Sequence, residues 1–225
     1  MKKENFAGID VLRFLAATLV CLFHIAFMNT KAPQSAAFAI SGGTFDYEFI
    51  HPLTSIGWVG VQVFFVISGF VIFGSAKGSA AAFARGRVLR LYPAVWVCAP
   101  ISLLLSLAFA AYPSSEALTR IARSVLLWPK GNWVDGVYWT LGIEIFFYFV
   151  VFILLALNVG RTIRWFCVIL GTISSTYWLL QWGMQNQVEF PLLQQLPQLN
   201  SFGRYFELSL IPHGCYFAIG AIFYR

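Results

Sequence analysis

The chain has 225 residues, of which 59% are hydrophobic and 11% charged, with a mean hydropathy of +0.74. A soluble domain carries about a quarter charged residues, so this composition excludes an ordinary water-soluble domain and indicates a polytopic membrane protein. The formal net charge of +6 does not point to nucleic acid, because the basic residues are interrupted by apolar spans and read as topology signals.

The first predicted span is residues 8–30, GIDVLRFLAATLVCLFHIAFMNT, about the length of one bilayer crossing. Lys2 and Lys3 before an apolar run resemble a signal peptide, but Asp10 and Arg13 do not suit an uncharged h-region, so the span reads as retained. Arg13 and His24 are eleven residues apart. At about 100° per residue they fall on nearly the same helix face, about three turns apart. Charge at membrane depth is costly, about 2.5–3.5 kcal/mol on insertion scales, and tends to face an interior or a wet cavity. The pair alone also fits an Arg13 that snorkels and a His24 at the far interface. Asp10 fits a helix cap or a partner for Arg13 three residues on.

A loop is expected at 29–55, followed by a second span at 56–76. That span carries no charge, and Gly57, Gly60, Gly69, Gly74 and Ser68 permit close helix approach. A basic connector, 77–93, holds Arg85, Arg87 and Arg90. The third span is placed at 91–111, with Pro93 near its start and Pro100 as a kink. In the loop at 112–136, Ser115, Leu118, Ile121, Val125 and Leu126 form an amphipathic segment suited to the interface, with Trp128 and Trp133 as anchors. A fourth span at 137–159 holds Glu144, with Tyr148 one turn on, and a fifth follows at 165–182. Polar sequence at 183–200 leads to a sixth span at 206–224. The fold class expected is therefore an all-α transmembrane bundle of about six spans, forming one integral-membrane domain over 1–225. Cys21, Cys98, Cys167 and Cys215 lie in separate apolar stretches without metal-ligand spacing, so neither a disulfide framework nor a metal site is expected.

With the N-terminus inside, ten basic residues lie on the cytoplasmic side and five outside, which supports that orientation. The arginine cluster then sits at the inner face, where guanidinium groups suit a phosphorylated ligand. Positive-inside bias and anionic lipid explain the cluster equally simply. A histidine deeper in the membrane suits proton transfer.

Four segments, IDVLRFLAATLVCLFH, GVQVFFVISGFVI, FARGRVLRLYP and YWTLGIEIFFYF, together resemble the membrane-bound acyltransferase family 3, bacterial O-acyltransferases of surface polysaccharide, peptidoglycan and secreted small molecules. Gln62 stands where the family more often has Asp, and Thr140 where it more often has Ser. The resemblance implies transfer of an acyl group, usually acetyl, from cytoplasmic acyl-CoA as co-substrate to a hydroxyl of a cell-envelope or exported carbohydrate. His24 would be the catalytic histidine, as base or as covalent carrier, with Arg13 lining the same cavity. Arg87 and Arg90, with Arg85 less directly, would contact the CoA phosphates. Glu144 would be an acidic group at the cavity, or a structural partner for a buried arginine. The location implied is the bacterial inner membrane, with the bilayer, acyl-CoA and the hydroxyl acceptor as partners. Members of the family usually have about ten spans, so the domain is expected to be incomplete at its C-terminus. An inactive remnant, a transporter and a lipid-binding scaffold are the competing functions; no internal repeat favours a transporter.

Overall fold

The structure is a computed structural model that describes residues 7–28, 48–76, 78–109, 111–186 and 201–224. Among these residues the chain is helical, with no β-strand. The helices are α1 (Ala7–Leu22), α2 (His51–Thr54), α3 (Val59–Ser75), α4 (Ala80–Ala108), α5 (Ala117–Val125), α6 (Tyr138–Ala156), α7 (Ile163–Gln185), α8 (Arg204–Leu208) and α9 (Gly214–Phe223). A π-helical turn, Phe23–Met28, prolongs α1. A tighter turn, Ser55–Trp58, joins α2 to α3.

Among the described residues, five stretches are long and apolar enough to cross a membrane: Ala7–Met28, His51–Ser75, Ala80–Ala108, Tyr138–Ala156 and Gly160–Gln185. They account for the first five expected spans, and the chain is an all-α polytopic membrane protein. The expected sixth span differs. Pro212 lacks an N–H and disfavours helical backbone at Ile211. Leu210 adopts a left-handed φ of 65°, and the N–H groups of His213 and Gly214 bond back to its carbonyl. The apolar run is thereby divided into α8 and α9. The 10 residues of α9 reach about 15 Å, half a bilayer core.

The basic connector also differs. Residues 80–90 are the opening turns of α4, which runs through Pro93 and Pro100. Each proline removes one helical hydrogen bond, a loss that membrane helices tolerate. Arg85, Arg87 and Arg90 therefore occupy fixed helical positions. The loop predicted before the second span lies outside the described residues as far as residue 47, as do Lys77 and residues 187–200. The described part, Glu48–Trp58, is helical.

The chain divides into two compact units. In the first, Met1–Phe64 with Tyr92–Tyr138, α1 packs through Ala16 and Ala26, which are almost fully buried. The Gly57 backbone lies on the Leu19 carbonyl and Phe23, and Gly60 lies on Ala16 and Val20. In the second unit, Phe65–Leu91 with Trp139–Arg225, α9 packs along α7. Phe217 is wholly buried, with its ring centroid 4.2 Å from that of Phe147 and 4.9 Å from that of Phe65. A side chain on Gly69 would strike the Phe217 backbone, and one on Gly220 would strike the Val66 backbone. The two glycines thus bring α3 and α9 into main-chain contact. In lipid, where apolar side chains gain little by leaving solvent, such close approach supplies the attraction.

Gly69→Val and Gly220→Val should each lower the melting temperature of the detergent-purified protein sharply, because overpacking costs typically about 1–3 kcal/mol and here the obstacle is backbone. Gly86, inside α4 with open space around its Cα, is the control. Gly86→Ala should raise stability by about 0.5–1 kcal/mol, read in the same melts.

Candidate functional site

The most developed polar arrangement in the second unit centres on Glu144 of α6. Its Oε1 accepts hydrogen bonds from Ser68 Oγ of α3 and from Tyr148 Oη one turn along α6. Ser68 and Tyr148 are buried. Helical spacing places Tyr148 beside Glu144, and the Gly69 crossing fixes the part of α3 that carries Ser68. Among the described residues no cation lies within ion-pair distance of Glu144, and Oε2 has no hydrogen-bond partner. Hydrogen bonds to a charged group contribute about 1.5–3 kcal/mol each, so two hydroxyls offset much of the cost of half-burying the carboxylate. One oxygen remains for a further donor.

Arg87 lies on the other side of Tyr148. Its guanidinium carbon is 5.5 Å from the centre of the Tyr148 ring and 5.6 Å from that of Phe83. Its Nη2 donates to Ser75 Oγ at 3.3 Å. Its Nε and Nη1 are buried and have no partner among the described residues. A planar cation set against two aromatic rings, with two of its three nitrogens unused, is a ready donor for an anionic or carbonyl oxygen.

The expected site residues fall into two sets. Glu144 and Arg87 flank Tyr148 in the second unit. Arg85 and Arg90 share α4 with Arg87 but are exposed, and Arg85 is turned about 200° from Arg87. Arg13 and His24 belong to the first unit. Arg13 Nη1 bonds Asp10 Oδ1 at 3.1 Å, the local pairing anticipated from their spacing. His24 is the second residue of the π-helical turn, is exposed, and meets the Phe23 ring edge-on at 5.5 Å. The α-helical phase carries from Arg13 to the start of that turn. Both residues therefore sit at one edge of the packed stripe, about 20–40° round from Val20.

Two side chains of this polar arrangement are not evident from sequence: Ser68 reads as a small packing residue, and Ser75 carries no motif. They are seven residues apart on a helix whose other strongly polar side chain is Gln62, which puts both hydroxyls on one face. That repeat was the available signal.

A carboxylate clamped by two hydroxyls, beside a partly unused guanidinium on bilayer-length helices, defines a polytopic membrane protein with a polar site at membrane depth. Such sites mark function more often than support. Comparison with known proteins sharpens the class. Residues 6–225 match the family model described as "Acyltransferase domain", and the chain belongs to this family, acyltransferase family 3. It is also similar to "Acyltransferase MdmB" of Streptomyces mycarofaciens, at 32% identity over 148 residues. That match covers 61% of this chain and 36% of the relative, so this chain aligns with little more than a third of that protein. No solved structure matches the chain.

Ser68→Ala and Tyr148→Phe should each destabilise the protein by about 1–3 kcal/mol in denaturation melts. Because both hydroxyls serve one oxygen, the double variant should depart from additivity by about 0.5 kcal/mol or more.

Proposed function

We propose that the chain acts as an O-acyltransferase, moving an acyl group, acetyl in the first instance, from cytoplasmic acyl-CoA to a hydroxyl of a cell-envelope or exported carbohydrate. The observation that carries the reading is Arg87: a half-buried cation whose Nε and Nη1 are buried and unused, set against the Tyr148 ring whose hydroxyl bonds Glu144, in a chain of this family. The orphaned donors fit an acyl-CoA, whose phosphate and thioester oxygens accept hydrogen bonds.

Arg87 binds the donor, and Arg90 and Arg85, exposed on the same helix, add charge along the donor's path. Arginine suits this work through its fixed fork of donors. Glu144 holds Tyr148, and Tyr148 in turn supports the Arg87 guanidinium, so Glu144 is a positioning residue for donor binding. His24 takes the proton of the acceptor hydroxyl as its oxygen attacks the thioester carbon; the carbon–sulfur bond breaks, and CoA leaves as thiolate and recovers a proton. Where transfer is stepwise, the imidazole first carries the acyl group. Arg13 steadies negative charge developing on the acyl oxygen. The excess of basic residues at one set of helix ends supports a cytoplasmic N-terminus in the bacterial inner membrane. No metal is required for these steps.

Purified protein incubated with labelled acetyl-CoA and a carbohydrate acceptor tests the reading. Arg87→Ala should raise the KM for acetyl-CoA about tenfold or more. His24→Ala should lower kcat about 10²–10⁴-fold, the usual contribution of acid–base catalysis, with donor binding retained. Transfer that survives His24→Ala removes the histidine from the reaction. Donor binding indifferent to Arg87→Ala, with no transfer, removes the function.

A further inference from the structure

A cavity with both polar and apolar walls lies wholly within the first unit. It encloses about 480 Å³ between the C-terminal end of α4 and the segment after α5, within the range of small-ligand sites, about 300–1,000 Å³. Its walls include Ser102, Tyr112, Arg120, Asn132, Trp133 and Asp135. The sequence of this segment announces only an interfacial helix with aromatic anchors.

This wall is held in place by its own bonds. Ser124 Oγ, wholly buried, accepts the Val134 N–H at 2.9 Å. Trp133 Nε1 donates to the Trp128 carbonyl at 2.7 Å. Gly131, at φ +118°, lies so close to the Arg123 guanidinium that a side chain there would be doubly strained. Arg120 is fully engaged: Nε and Nη2 bond Glu116 Oε2 at 2.9 and 2.7 Å, Nη1 bonds the Trp133 carbonyl at 3.1 Å, and its plane lies 4.4 Å from the Tyr112 ring centre. A cation so neutralised is a poor anion site. Tyr112 Oη is the reverse: buried, at the cavity, and without a hydrogen-bond partner among the described residues. An orphaned buried hydroxyl costs about 1–3 kcal/mol, so it favours a ligand that supplies a partner. Asp135, exposed at the cavity rim, accepts the Val137 N–H through Oδ1 at 3.1 Å.

We propose that this cavity binds a neutral polyhydroxylated ligand, a sugar unit of a saccharide chain. Hydroxyl groups of the sugar donate to Asp135 and exchange hydrogen bonds with Tyr112 Oη, while the apolar wall around Leu105 and Val134 accommodates the C–H side of the ring. The choice of sugar rests on the acceptor named above; the cavity and its orphaned hydroxyl do not depend on it. On the topology proposed above, the cavity opens on the outer side.

The full chain in nanodiscs is titrated with isomaltotriose and with chitotriose, read by tryptophan fluorescence and by saturation-transfer NMR. Saturable binding of at least one is expected. Tyr112→Phe and Asp135→Asn should each weaken it about 3- to 10-fold, the effect of losing one hydrogen bond. Both variants should fold: Oη makes no internal bond, and Asn keeps the oxygen that caps Val137. The Tyr112→Phe melting temperature should be no lower than wild type. Absence of saturation by either saccharide, or equal affinity in both variants, overturns the site. Saccharide binding without acyl transfer from acetyl-CoA would leave this site intact and overturn the proposed function alone.

Discussion

The crossing of α3 and α9 at Gly69 and Gly220 is the constraint on which the second unit depends. Neither helix can move away from the other without forfeiting main-chain contact, and neither can carry a side chain at the crossing. In lipid no aqueous driving force replaces that contact. The crossing fixes α3 along its length and in rotation. Ser68, adjacent to Gly69, and Ser75, two turns on, therefore arrive at defined places. The polar site follows from a van der Waals contact between two backbones.

The site shows how two half-buried polar groups are managed without a counter-charge in contact among the described residues. Glu144 is met by hydroxyls, and Arg87 by ring faces and one serine. Hydroxyls and aromatic faces are weaker partners than an opposite ion, and they leave capacity unspent on both groups. A direct Glu144–Arg87 pair would satisfy both groups and leave less for a ligand. The intervening Tyr148 keeps the carboxylate and the guanidinium separate while touching each.

Much of this was legible in the sequence. Five spans follow from hydropathy and length alone. The glycines of the second span announced close contacts, and each of Gly57, Gly60, Gly69 and Gly74 does abut a neighbour. Periodicity could not name the neighbours, because Gly69 meets a residue far along the chain. The same limit hid Ser68, whose partner Glu144 is 76 positions away; one hydroxyl in an apolar run reads as a small residue. The sixth span was misjudged because average hydropathy is blind to Pro212 and to the left-handed backbone at Leu210. The arginine connector was misjudged because Pro93 reads as a helix start, whereas α4 passes through it.

The π-helical turn at Phe23–Met28 has a consequence for how the chain can vary. Such a turn holds surplus length within a helix. His24 stands near its upstream end, two residues past the last residue of α1, so the imidazole stays close to the bearing set by the regular pitch of that helix. Insertions or deletions beyond Met28 can be taken up by tightening or widening those six residues, like slack in a coupling. The histidine can keep its direction while the downstream connection changes freely.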